Sequence, residues 1–185
     1  MEISFRLSTK DIARVKREIR EYQKSLVTKC SLFVEKLAER GITVAVANSG
    51  EYSGLITFST EIESGHKGAT GLMLATSGTI KRRWLSNGQI READVSPLLM
   101  AEFGSGWKAS DASAKPNALK AVELGMGQGT FPNQTHAFDE GGWYWQDLDG
   151  EWQHSEGEEP TMPMFTAALA MEQSIFDVAK EVFGT

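Results

Sequence analysis

A chain of 185 residues, 41% hydrophobic and 24% charged, is long enough to bury one core and too apolar for wholesale disorder. Its net charge of -6 works against a general nucleic-acid binder, since such proteins draw most of their affinity from Lys and Arg neutralising phosphates. A single cysteine, Cys30, excludes an intramolecular disulfide and a cysteine-built zinc cage. No signal-length apolar run follows Met1 and no stretch approaches the ~18 apolar residues of a membrane span, so a soluble protein made in the cytoplasm, with no membrane partner, is expected.

Ile3, Phe5 and Leu7 alternate with polar residues, the period of a short strand. Ser8, with Asp11 three residues on, then opens a helical pattern. Ile12, Val15, Ile19, Tyr22, Leu26, Cys30, Phe33 and Leu37 are three or four residues apart throughout, which predicts a long amphipathic helix with Gly41 as its C-cap. From Ile42 to Ala75 the residues become β-branched and aromatic, predicting strands at Ile42–Ala47, Leu55–Ile62 and Thr70–Ala75, with Ser64–Gly68 closing a hairpin. Asn87-Gly88 suits the positive φ angles of a type I′ turn and predicts a second hairpin, with Lys81-Arg82-Arg83 and Arg91-Glu92 facing solvent.

Leu98–Phe103 is a short apolar run ending at Gly104. From Gly104 to Pro160 the texture changes: nine of the 18 glycines and four of the five tryptophans fall here. Glycine lets the backbone turn sharply while tryptophan supplies surface that gains from burial, so the expectation is a long arm that becomes ordered largely against partners. Inside it, Trp143–Gln146 and Glu151–His154 flank Asp149-Gly150 as a further hairpin. The last helix is predicted to start with Thr161 as N-cap and Pro163 in its first turn, to present Phe165, Ala168, Leu169, Ile175, Phe176, Ala179, Val182 and Phe183 on a broad apolar face, and to end at Gly184. The sum is a single α+β domain over 1–185, an antiparallel sheet against two helices, with 104–160 as an extended loop and hairpin insertion.

Signals for chemistry are weak. His66, His136 and His154 are the only histidines, and no His-x-x-x-His or His-Glu-x-x-His spacing occurs, although His136 with Asp139 and His154 with Glu156 would offer mixed donors to a metal. Eight carboxylates between Asp139 and Glu159, with no Lys or Arg among them, lack the Asp-x-Asp-x-Asp-Gly spacing of a calcium loop and read as a solvated acidic surface. Gly125–Thr130 has the glycines of a phosphate loop without its lysine. Cys30 sits on the apolar stripe of the first helix and reads as core filling. No catalytic, cofactor-binding or metal residue is therefore assigned, and no cofactor is expected.

Several stretches, in order, resemble one family: Ala101-Glu102-Phe103-Gly104-Ser105-Gly106, Glu123-Leu124-Gly125-Met126-Gly127-Gln128-Gly129-Thr130-Phe131-Pro132, His136-Ala137-Phe138, Gly142-Trp143-Tyr144, and a last helix opening with Pro163-Met164. Together they are similar to the head-tail joining or tail-completion proteins of siphophages and prophages. Ser105 stands where the commoner form has Thr, and 41–52 lacks the Ala-Pro-Val-Asp-Thr-Gly wording of many members. The resemblance implies a non-catalytic virion protein, made in the host cytoplasm and assembled as a homo-oligomeric ring of six or twelve copies between the capsid connector and the tail tube. Connector, neck and tail-tube proteins are its implied neighbours, and DNA passes through without specific binding. Aromatic residues are favoured interface anchors, which makes Phe103, Trp107, Phe131, Trp143, Tyr144 and Trp152 the candidates. Two other readings are a tail terminator capping the tube and a phage-encoded metal-dependent hydrolase using His136, His154 and nearby acids.

Overall fold

The computed structural model describes residues 9–65, 68–106, 108 and 140–184. The predicted strand at Ile3–Leu7, the Ser8 cap, Gly125–Thr130, His66, His136 and the candidate anchors Trp107 and Phe131 lie outside the described residues. What is described is α+β: a long N-terminal helix, antiparallel sheets and a C-terminal helix.

Helix α1 runs Thr9–Ala47 and passes straight through Gly41. Two sequence expectations fail here, the C-cap at Gly41 and the strand at Ile42–Ala47. Both rested on local preference, and packing overrides it. Gly41 is buried where a Cβ would lie 2.8 Å from the Met171 sulfur and 3.0 Å from that of Met73, while Ala45 is fully buried. Extending these residues as a strand would forfeit that contact, whereas the helical cost of a β-branched residue is only a few tenths of a kcal/mol, about 0.5. The helix ends on its own side chains: Asn48 Nδ2 donates to the Val44 carbonyl (2.8 Å) and Ser49 Oγ to that of Ala45 (2.8 Å).

A 3-10 turn at Gly50–Tyr52 leads to strands β1 (Ile56–Gly65) and β2 (Gly68–Ser77), which pair in register from Ile56↔Ser77 to Gly65↔Gly68. This two-stranded sheet lies on α1. Strands β3 (Ile80–Ser86) and β4 (Gln89–Val95) form the Asn87-Gly88 hairpin as predicted, with φ of 52° and 72° at the turn. They belong to a separate four-stranded sheet, ordered β4-β3-β5-β6, in which β5 (Trp143–Gln146) and β6 (Trp152–Ser155) are the hairpin read around Asp149-Gly150. Between the sheets sits the core of Tyr52, Ile56, Val95, Met100 and Ala101, flanked by Phe58, Ala75, Ile80 and Leu98.

Helix α2 (Pro97–Phe103) follows β4, with the Ser96 hydroxyl accepting from the Leu99 amide. The C-terminal helix α3 (Pro163–Phe183) packs on the second half of α1 through Ala167, Val178 and Val182, all buried, and through the Phe33–Phe183 ring contact at 5.9 Å. Lys36 and Arg40 of α1 reach Glu181 at 2.6 and 3.7 Å.

Thr161 is not the N-cap of α3. Its hydroxyl donates instead to the Ala101 carbonyl, and Met162 takes the cap position in left-handed conformation (φ 53°). The free amides of the first turn are met from far along the chain: Pro163 has none, and the buried Glu102 carboxylate accepts from Met164 N (2.8 Å) and Phe165 N (3.2 Å). Opposite charge at a helix N-terminus adds to these bonds. Glu102→Ala is expected to lower unfolding stability by about 2 kcal/mol, with Glu102→Gln losing less because it keeps one acceptor; urea titration of both variants checks the order.

Candidate interaction surface

The residues after α2 form a splice that holds the two ends of the arm together. Ser105 N donates to the Glu158 carbonyl (2.9 Å), Glu158 N returns the bond to the Ser105 carbonyl (3.0 Å), and the Ser105 hydroxyl accepts from the same amide (3.1 Å). Three and four residues beyond Glu158, Thr161 N and Met162 N both donate to the Ala101 carbonyl (2.9 and 3.0 Å). Gly104 makes the close approach possible: at φ 70° a Cβ would overlap the Glu158 carbonyl oxygen and the Pro160 ring. On the arm side, Lys108 meets Glu156 at 3.3 Å.

Glu158 also receives the Tyr52 hydroxyl, which ties the splice to the turn after α1. Burial of the Tyr52 phenol, then the hydrogen bond to Glu158 and the carboxylate's charge, push its pKa well above the ordinary tyrosine value.

The β5–β6 hairpin stands on this splice, and its register sorts the aromatic residues into two sets, since directly paired residues share a face. Trp143, Trp145 and Ser155 point inward. There the Trp143 ring lies against Gly106, and the two tryptophans line a cavity of about 530 Å³ with Trp84, Val95 and Met100, to which Tyr144 and Trp152 also contribute. The opposite face carries Tyr144 opposite His154 and Gln146 opposite Trp152, and continues through Leu85 into Arg83, Glu92 and Ile90 of the neighbouring hairpin.

This outward face is apolar where a monomer gains nothing from it. Tyr144 is 69% exposed, Trp152 67% and Ile90 65%, and Leu148 in the β5–β6 turn is 49% exposed. On the same face, along β3 and β4, lie Lys81, Arg83, Glu92 and Asp94, linked by Lys81–Glu92 at 3.0 Å, Lys81–Asp94 at 3.8 Å and Arg83–Glu92 at 3.4 Å. The Lys81 ammonium holds the Glu92 carboxyl below its usual range, and Lys81 itself titrates above its own. Exposed aromatic side chains beside polar groups are a composition found at protein interfaces.

Of the aromatic residues singled out in the sequence, the structure therefore turns Tyr144 and Trp152 outward, half-buries Trp143 against the chain's own backbone, and buries Phe103. Phe103 is a core residue and not a surface anchor, because α2 rotates it inward. Ile90 and Leu148 were missed. Each is a lone apolar residue in a polar stretch; the register puts Ile90 on the same sheet face as Trp152, two strands intervening.

The acidic run is likewise partly structural. Asp147 accepts from Asp149 N (3.1 Å), Glu151 N (2.9 Å) and Gln153 Nε2 (2.8 Å), which organises the β5–β6 turn, and these bonds, that from Gln153 foremost, lower its pKa. His154 engages the Gly141 carbonyl at 2.5 Å and lies against Tyr144, ring centroids 4.6 Å apart. Among the described residues no three His, Cys, Asp or Glu side chains come together so as to hold a metal ion. Nor is any helix among them long and apolar enough to cross a membrane.

Because the folded-state pKa of Tyr52 is raised, its contribution to stability is complete below the ordinary tyrosine value of about 10 and declines as pH rises from there. Thermal melts between neutral and strongly alkaline pH are expected to show a steeper alkaline loss for the native chain than for Tyr52→Phe, which has no phenol to ionise. Neither protein-family models, nor curated proteins, nor solved structures match the chain.

Proposed function

We propose that this chain is a structural subunit of the neck of a long-tailed bacteriophage, a tail-completion or head-tail joining protein that works by assembling with copies of itself and with neighbouring connector and tail-tube proteins. The observation that carries the reading is the outward sheet face, where a tryptophan, a tyrosine and an isoleucine are each about two-thirds exposed. Solvent-facing aromatics grouped in this way mark a surface meant to be covered. Burying Trp152 and Tyr144 against a partner contributes on the order of 2–4 kcal/mol, enough to decide whether a subunit joins a ring.

The resemblance supports the same reading with a physical reason for its wording. In the stretch Glu102-Phe103-Gly104-Ser105-Gly106, Glu102 caps α3, Phe103 fills the core, Gly104 admits the Glu158 carbonyl, Ser105 pairs with Glu158 and Gly106 seats Trp143. The Ser105 hydroxyl accepts from the Glu158 amide, a bond that the hydroxyl of the commoner Thr makes equally well. The net charge of -6 suits a wall past which DNA slides without being gripped.

The test is complementation of a phage that lacks this chain. The double variant Tyr144→Ala/Trp152→Ala is expected to purify with an unchanged melting temperature yet to leave free tails and filled, tailless heads in electron micrographs, with infectious titre down by about a hundredfold or more. Normal particles assembled from the double variant, or particles that never contain the native chain, would overturn the proposal.

A further inference from the structure

No residue of α1 from Lys10 to Lys29 is buried; the first buried one is Ala38. This segment, roughly 30 Å long, nevertheless carries a continuous apolar stripe. Ile12 is 41% exposed, Ile19 43%, Tyr22 54% and Leu26 41%, with Val15 half-buried between them. Their spacing is informative. Ile12, Val15, Ile19, Tyr22 and Leu26 step alternately by three and four, which are the a and d positions of two heptads. After Leu26 the step changes, through Cys30 to Phe33, and there the stripe meets Phe183 of α3. The strict 3.5-residue period is thus confined to the part of the helix that the body leaves exposed, and it is the period a second, supercoiling helix requires.

The flanking charges choose the partner. In this register the g positions are Asp11, Glu18 and Ser25, and the e positions are Lys16, Gln23 and Cys30. A parallel pairing with the same segment of another copy sets each g residue against the partner's e residue five positions on: Asp11 against Lys16 and Glu18 against Gln23, twice over by symmetry. An antiparallel pairing sets the acidic row against itself and gives Lys16 no opposite charge. Asp11 also meets Arg14 of its own helix at 3.6 Å.

We infer that residues 12–26 of α1 form a parallel two-stranded coiled coil with a second copy of this chain. Two heptads are few for a coil that must also fold its helices, but here the helix is already held in place by the packing of its second half on α3. The inference concerns two copies whether or not they enter a virion, and so stands apart from the neck reading.

Sedimentation equilibrium of the full chain is expected to show a concentration-dependent dimer. Ile19→Lys, at an exposed position, keeps the helical circular dichroism and the melting temperature of the diluted monomer while raising the dissociation constant about a hundredfold or more. Ile12→Cys in a Cys30→Ser background is expected to form an intermolecular disulfide under mild oxidant, because parallel chains place position 12 beside position 12. A chain that stays monomeric up to the solubility limit, a dimer indifferent to Ile19→Lys, or a dimer that Ile12→Cys does not crosslink would each overturn it.

Discussion

The backbone splice between Ser105 and Glu158 is the constraint on which the rest of this structure depends. It brings together residues 53 apart in sequence and lets the chain resume, at Thr161, beside the point where it left. Glu102 is then within reach of the first amides of α3, so closure of the arm and capping of the last helix are one event. Tyr52 joins the same knot through Glu158, which couples the turn after α1 to both. A buried carboxylate accepting two amides is costly to leave half-satisfied, so these contacts stand or fall together.

Above the splice, the β5–β6 hairpin divides its aromatic residues by the two-residue period of a strand. Trp143 packs against Gly106, whereas Tyr144 and Trp152 are two-thirds exposed. One short sequence thereby anchors itself and presents a surface. The sheet edge at β3 is extended by the hairpin through the Leu85↔Gln146 pair, which makes the outward face wider than either hairpin alone.

Much of this organisation was legible in the sequence, and the failures share a cause. Asn87-Gly88 and Asp149-Gly150 declared their hairpins because turn chemistry is local. The long helix was read from its apolar period, but its end was misplaced, since the role of Gly41 depends on Met171 and Met73, distant in sequence. The cap of α3 was assigned to Thr161 for the same reason: a local rule looks beside the helix, and the carboxylate that serves lies 62 residues upstream. Aromatic richness singled out Trp152 and Tyr144, which the structure leaves exposed. It did not separate them from Phe103, because only three-dimensional placement distinguishes an aromatic residue that fills a core from one that is offered to a partner.

A clasp made of main-chain groups is indifferent to many side chains. Ser105 and Glu158 exchange amide and carbonyl bonds that a change of either side chain leaves in place, whereas Gly104 and Gly157 beside them admit no Cβ. The closure is thus written in two glycines more than in the pair they flank, and the same knot suits sequences that differ at both bonded positions.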